Sequence, residues 1–498
     1  MPDNPTVQKW QRCSPISIVY FLLRTLKSLV NLWPAMAGVV FVEDFRALIF
    51  SHGLPVLFIL VTVTSILNYW FFTFQYDEKG VRLKTGFFHK KRLSLQFDRV
   101  QEINLNQAIY YRPFSLWSAS LDTAGSKDKE IVLPAINQIC AEELKALHLS
   151  HKRDVTETEK EKVQAEDTRS DYYLKIDIAN LIRYGLMNNS MIYLMIIVSP
   201  ILGQSQAFSE VLIQKIKSIS FLSHAIELSA AYGVWATLSL FTVVFILSII
   251  FLYILSIALA IIRYWNYTLD ISDDHVQFHA GLLNRIRRGF KSHKLQSIEV
   301  KQGLIARLLQ RYTIKITQAN DSRPGTQGTS SAFIIPVCDR QQRDELLTIF
   351  KVESGDWQRV KMQKALWTIL LWATPLSIAV VIASYFLPMI SRYYVIIPIL
   401  FVAITNYLYW KKRGYYFGKN WSAFRSGLLS TKIVYVPHVK LQKIQINRGP
   451  ILDFHNAASI QVWNGSGIQS LSFVDYNALN TERNKLLDHV GRHQGKWM

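Results

Sequence analysis

VQFHAGLLNRIRRGFKSHKLQSIEVKQ, residues 276–302, has two variants elsewhere in this chain. Residues 81–107 read VRLKTGFFHKKRLSLQFDRVQEINLNQ, and residues 422–448 read SAFRSGLLSTKIVYVPHVKLQKIQINR. Gly86, Gly281 and Gly427 coincide, and Gln101, Gln296 and Gln442 follow fifteen residues later. The residue two before that Gln is basic every time: Arg99, Lys294 and Lys440. Period-two alternation, as in Val81 and Leu83, Ile298 and Val300, or Ile444 and Ile446, marks strands with one buried face. A glycine closing a short alternating run suits a hairpin turn that needs positive φ.

Further strands are expected at 115–123, 312–317 and 458–463, then at 130–133, 331–335 and 469–473. Each copy closes on a helical pattern, at 136–149, 340–351 and 477–490. Six or seven antiparallel strands and one helix make a small open barrel with the helix plugging one end. The repeat positions Gly86, Gly281, Gly427, Gln101, Gln296 and Gln442 are read as structural, because they recur in copies of very different charge.

Upstream of each copy, apolar sequence ends in a Tyr-Trp pair: Tyr69-Trp70, Tyr264-Trp265 and Tyr409-Trp410. Such rings anchor at the headgroup level of a membrane. Half of the 498 residues are hydrophobic and only 18% are charged, against about 25% in soluble domains. Mean hydropathy is +0.13. This composition excludes a disordered chain, a collagen and a disulfide-knotted module. Cys13, Cys140 and Cys338 are too scattered for a disulfide framework or a zinc site.

Six stretches lack Asp, Glu, Lys and Arg: 28–42, 47–76, 184–209, 228–262, 365–391 and 393–410. A bilayer core takes roughly 20 apolar residues as a helix. Five spans are expected within 53–72, 185–203, 235–262, 365–389 and 393–410. The sixth uses 28–42, with its helix starting near Tyr20 and with Arg24 and Lys27 reaching back to the interface. Residues 15–27, PISIVYFLLRTLK, read as an interfacial amphipathic helix leading into that span. The expected architecture is an α+β membrane protein with six transmembrane helices in three pairs, each pair followed by a barrel.

The connections within pairs carry net charges of −1, 0 and +1, so the whole excess of +20 lies on the other side. Arg263, Lys411, Lys412 and Arg413 sit at span ends, where the positive-inside rule counts them. Both termini and all three large segments are therefore expected in the cytoplasm. The domain reading is 1–72 for the N-terminal helix and first pair, 73–150 for the first barrel, and 151–183 for a polar linker and lead-in helix. It continues with 184–262 for the second pair and its amphipathic connection, 263–356 for the second barrel, 357–410 for the third pair and 411–498 for the third barrel.

The Tyr-Trp exit, the G-L-L or G-F-F turn, the strand around the repeated Gln and the closing helix together resemble the bacterial pleckstrin-homology-like (bPH2) membrane proteins of the YdbS/YdbT type, formerly called membrane-flanked domain proteins. The resemblance spans nearly the whole chain. It implies a cytoplasmic PH-like barrel hung from two helices in each repeat, in a bacterial inner membrane. As a partner it implies a smaller one-repeat relative of the same family. It implies no agreed activity or ligand. The third copy departs from the pattern, with Arg448 where the others have Gln107 and Gln302.

No P-loop, GxGxxG, HExxH or GxSxG occurs. WNGSGIQS (463–470) and GTQGTSS (325–331) lie between short strands and read as hairpin loops, not phosphate cradles. Asp273, Asp274 and His275 form one compact acid–His cluster, in ordinary turn chemistry. No metal, cofactor or enzymatic activity is expected. The spans lack the ionisable residue that ion-coupled transport places at mid-membrane, and their asparagines read as helix-packing groups.

Charge is more informative. The three segments 73–150, 263–356 and 411–498 carry net +2, +4 and +9. Arg285, Arg287, Arg288, Lys291 and Lys294 crowd between turn and strand, and Lys411, Lys412, Arg413, Lys440 and Lys443 mark the third barrel. These are the candidate contacts for membrane lipids with anionic headgroups or for a protein partner. Nucleic acid is not expected, because a barrel tethered by two helices reaches its own leaflet first. The expected role is a non-enzymatic scaffold for envelope maintenance or a membrane complex. The alternative is a lipid-handling transporter whose helices form a groove that the barrels gate.

Overall fold

The computed structural model describes residues 10–30, 53–87, 90–123, 131–157, 172–188, 234–272, 275–318, 333–386 and 396–492. They fall into two compact units, Met1–Ile178 with Asn188–Phe290, and Ala179–Met187 with Lys291–Met498.

The first unit opens with β1 (Gln11–Arg12), α1 (Ser17–Val30) and α2 (Leu54–Trp70). Strands β2 (Thr73–Asp77), β3 (Gly80–Thr85), β4 (Lys91–Gln96), β5 (Val100–Gln107), β6 (Leu116–Thr123) and β7 (Ile131–Asn137) follow, then α3 (Gln138–Glu157). After β8 (Tyr172–Lys175) comes α4 (Ile178–Met187), which from Ala179 on belongs to the second unit; the first unit resumes with α5 (Val234–Tyr264), β9 (Thr268–Ser272), β10 (His275–Ala280) and β11 (Arg285–Lys291). One antiparallel sheet has the order β1-β2-β3-β4; a second runs β7-β6-β5-β11-β10-β9-β8.

The first module has the expected build. Its strands turn their apolar face inward, so Leu121, Leu133 and Val81 are wholly buried with Phe97, and α3 adds Ala141 and Leu144 as the plug. Each such leucine stabilises the fold by about 1.5–3 kcal/mol on burial. Helix α1 joins this core through Phe21, whose ring lies 5.5 Å from that of Phe72. It runs on to Val30, past the end expected for an interfacial segment.

The second unit contains β12 (Leu295–Gln302), α6 (Leu304–Leu308), β13 (Tyr312–Gln318), β14 (Phe333–Cys338) and α7 (Arg340–Ile349). Next are β15 (Gln358–Arg359), α8 (Gln363–Phe386), α9 (Ile396–Lys412), β16 (Gly414–Phe417), β17 (Trp421–Ser426) and β18 (Thr431–Pro437). The last elements are β19 (Leu441–Asn447), α10 (Pro450–Phe454), β20 (Ala457–Asn464), β21 (Gly467–Asp475) and α11 (Tyr476–Arg492). Its larger sheet is β14-β13-β12-β18-β17-β16-β15, and a three-stranded sheet is β19-β20-β21. Helix α7 begins on a capping box in which Asp339 accepts from the Gln342 amide at 2.8 Å and the Gln342 side chain accepts from the Asp339 amide at 3.0 Å.

Two features differ from the sequence expectation. The barrels are not closed off from one another: the second half-sheet of one module continues into the first half-sheet of the next. Gln107 of β5 faces Arg285 of β11, and Gln302 of β12 faces Thr431 of β18. An edge strand leaves backbone N–H and C=O groups unpaired, and a repeated module supplies a matching edge to satisfy them. Moreover, each module's first strand precedes its apolar helices: β1 pairs with β2, β8 with β9 and β15 with β16. Strands of two to four residues are too short to display an alternation, which is why 73, 263 and 411 looked like module starts.

Among the described residues, one helix is long and apolar enough to cross a membrane, Thr242–Tyr264 within α5, with mean hydropathy 2.9. Pro55–Trp70 and Leu366–Ile382 are shorter apolar helices. On α5, Phe245, Phe251 and Ile254 are more than half exposed, a surface suited to lipid contact. The expected spans at 28–42 and 185–203 and the connection 204–233 lie largely or wholly outside the described residues, as do 158–171 of the linker and the Asp273-Asp274 pair.

Candidate functional site

The Gly-Leu-Leu turn joins a module to the end of its apolar helix. The backbone N–H of Gly281 donates to the carbonyl of Trp265 at 2.9 Å, and that of Leu282 donates to Ile262 at 2.9 Å. The last turn of a helix leaves carbonyls without intrahelical partners, and here the next hairpin supplies two of the missing donors. Gly281 has φ +112 and Gly427 φ +133, as the turn reading required. In the third module side chains do similar work: Lys412 donates to the carbonyls of Leu428 and Leu429, and Arg425 Nε donates to the carbonyl of Lys412 at 2.9 Å. In the first module the rings of Phe71 and Phe87 meet at 5.2 Å.

Beside that turn in the first unit, an open groove of about 570 Å³ lies where β5 meets β11. Gln107, Arg112, Ser115, Trp117 and Arg285 are among its lining residues. Arg112 comes from the 3-10 turn Ile109–Phe114 that follows β5. Its guanidinium donates to the carbonyl of Leu282, while the amide of Ile109 donates to Asn284 Oδ1 at 3.2 Å. Ser115, at φ +52, reverses the chain into β6. Arg287 stacks over the Trp117 ring at 5.3 Å, a cation–π contact. Nearby, burial and then the positive charges of Arg287 and Lys145 hold His279 below the usual histidine range. Ile109 and Phe114 are exposed beside the groove.

The basic cluster read from the sequence divides by strand alternation. Arg285 and Arg287 project from one face of β11 and are exposed, whereas Arg288 shares the register of buried Phe290 and is half-buried. Lys291 and Lys294 are half-buried and Lys411 is exposed. Lys412 is engaged at the turn. Arg413 is buried, bonded to the carbonyl of Ser470 at 3.3 Å, and burial pulls its pKa down. Lys440 is buried in the 3-10 turn His438–Lys440 and lowered for the same reason. Lys443 is exposed, over the Trp463 ring at 5.2 Å.

Gln296 is buried, and its side-chain oxygen accepts from the Gly465 amide at 3.2 Å. Asn464 Nδ2 donates to its carbonyl at 2.9 Å. The WNGSG segment is thus a β20–β21 hairpin seated on β12. Gln442 is exposed, and the side chain of Gln101 lies outside the described residues. Among the aromatic anchors, Trp70 and Trp265 are exposed, Tyr264 is buried, and the Trp410 indole donates to the carbonyl of Val360 at 2.9 Å. Among the described residues no three His, Cys, Asp or Glu side chains are grouped to hold a metal ion.

Sequence reasoning missed Arg112 and Trp117. A signal existed for the first: Arg112 stands five residues after Gln107, as Arg307 does after Gln302. Arg307 likewise reaches the strand-joining neighbour in the second unit, though at a different position, donating to Thr431 Oγ1 at 2.9 Å. In the third copy that place holds Asp453, which pairs with Arg448 of its own module.

Comparison with known proteins supports the three-fold plan. The UPF0699 transmembrane protein YdbT of Bacillus subtilis (strain 168) is 22% identical over 360 residues, which is 69% of either chain. The family model described as "Bacterial PH domain" matches residues 22–152, 225–350 and 368–489, each match taking in apolar helix as well as barrel. With three matches covering most of its length, the chain belongs to the bacterial PH domain family.

Proposed function

We propose that this is a non-enzymatic, multi-pass inner-membrane protein with six spans in three pairs, whose cytoplasmic PH-like modules hold anionic lipid headgroups at the membrane surface. The observation that carries this reading is the basic groove at the exit of α5. Arg112 and Arg285 line it, and Arg287 lies over the ring of Trp117 in its wall, beside a turn bonded to the last carbonyls of that apolar helix. Cations at that depth meet an anionic leaflet at about 1 kcal/mol each. The relative's description as a transmembrane protein agrees with this placement. The helices offer less to a transport reading, since the Asn406 side chain donates to Val402 of its own helix at 2.8 Å.

The test is native mass spectrometry of the detergent-extracted full chain titrated with anionic and zwitterionic lipid. Arg285→Gln with Arg287→Gln should weaken retention of the anionic lipid roughly thirtyfold, at about 1 kcal/mol per charge. The effect should fade as salt shortens the Debye length from about 10 Å at 0.1 M. Equal retention of both lipid classes, or no response to the substitutions, would refute the headgroup reading. Orientation is tested separately. Cysteines introduced as Lys160→Cys and Val490→Cys should resist an impermeant thiol reagent in intact cells, and labelling of either from outside would reverse the topology.

A further inference from the structure

We propose that the outer edge of β4 is a docking site for a strand from a PH-like half-sheet on a different polypeptide, one with an acidic residue three positions after its repeat glutamine. This inference stands on strand topology and does not depend on the lipid reading.

The fourth strand of a module is paired on both sides twice in this chain: β11 takes β5, and β18 takes β12. In the first module the same strand, β4, ends its sheet, and among the described residues it pairs with β3 alone. Its residues Lys91, Arg92, Ser94 and Gln96 are exposed. Such an edge is a template for one more strand, with main-chain hydrogen bonds giving affinity and side chains giving selectivity.

The internal junction shows what that side-chain match requires. Lys91 stands five residues after Gly86, as Lys432 of β18 does after Gly427. Lys432 is met across the junction by Glu299 of β12 at 3.0 Å, and Lys301 holds the same carboxylate at 2.8 Å. Burial would raise the Glu299 pKa, but the two lysines outweigh it and hold the group ionised below the usual range. An incoming strand with an acid at the Glu299 position would find Lys91 waiting for it.

A second copy of this chain does not fit. Among the described residues its own strand with one unpaired side is β19, at the edge of β19-β20-β21. There Gln445 replaces Glu299, and Arg448 replaces the Gln302 that faces Thr431. Paired with β4, Arg448 would face Lys90, and like charges directly opposite destabilise a strand pair. Lysines on an edge commonly deter self-association; here they deter this chain while leaving an acidic strand welcome.

The test uses the purified full chain and, as probe, a synthetic peptide of residues 295–308, which contains β12, Glu299 and α6. Hydrogen exchange should show fast outward-facing amides in Lys91–Gln96 without peptide and protection with it. Lys91→Glu should weaken the peptide at least tenfold, and a peptide carrying Glu299→Lys should restore binding to that variant. A Glu299→Gln peptide should bind the unmodified chain more weakly. Edge amides already protected in the free chain, or binding indifferent to the charge swap, would overturn the proposal. Head-to-tail oligomers of the unmodified chain in native mass spectrometry would overturn the choice of a different polypeptide.

Discussion

Gly281→Ala is expected to destabilise the protein by about 1–3 kcal/mol from backbone strain alone, and by more once the collision at the new Cβ is included. The residue sits at φ +112, and a Cβ there would meet the backbone carbonyl of Asn284, which cannot swing aside as a side chain could. The turn also carries the two amides that bond to Ile262 and Trp265, so strain should reach the end of α5. Gly427→Ala should behave alike, since its Cβ would meet the carbonyl of Ser430 at φ +133. Gly303 is the control, with nothing within 4 Å of a Cβ. Thermal unfolding of the detergent-solubilised chain, followed by tryptophan fluorescence, would rank the three. A loss at Gly281 no larger than at Gly303 would mean that the turn relaxes and that the repeated glycine is not conformational.

Trp117→Ala should cost about 3–5 kcal/mol, the range for a large aromatic removed from a core. The ring is 6% exposed within the first module's core and also forms the wall on which Arg287 rests. Trp117→Phe keeps an aromatic ring and drops an indole N–H that has no hydrogen-bond partner among the described residues. It should therefore cost far less. The pair separates packing from recognition. If the groove binds anionic headgroups, Trp117→Phe should retain most lipid binding, because Arg285 and a ring under Arg287 remain. Protease resistance of the first module reads the stability side. Equal losses for both substitutions would show that the indole has a specific partner.

Much of this molecule was legible from the chain alone. The Gly-to-Gln spacing, the Tyr-Trp exits and the closing helices located three PH-like modules, because strand alternation, positive-φ turns and interfacial aromatics are local consequences of residue type. Gly86, Gly281 and Gly427 lie at positive φ, and the hairpin reading of WNGSG holds. The grouping of basic residues was less readable. Strand pleating set Arg288 apart from Arg285 and Arg287, and burial removed Arg413 and Lys440 from the surface, although all had looked equivalent as charges.

Tertiary structure alone decided how the modules join. Continuity of β5 with β11 and of β12 with β18 is a pairing between strands more than a hundred residues apart. Backbone hydrogen bonds carry almost no sequence signature, so an edge strand and a shared strand read alike until their partners are placed. The same holds for β1, β8 and β15, which are too short to announce themselves and are strands only because a neighbour pairs with them. Residue types determined what each module is; long-range pairing determined where one module ends and, among the described residues, which edge strand is left with one side unpaired.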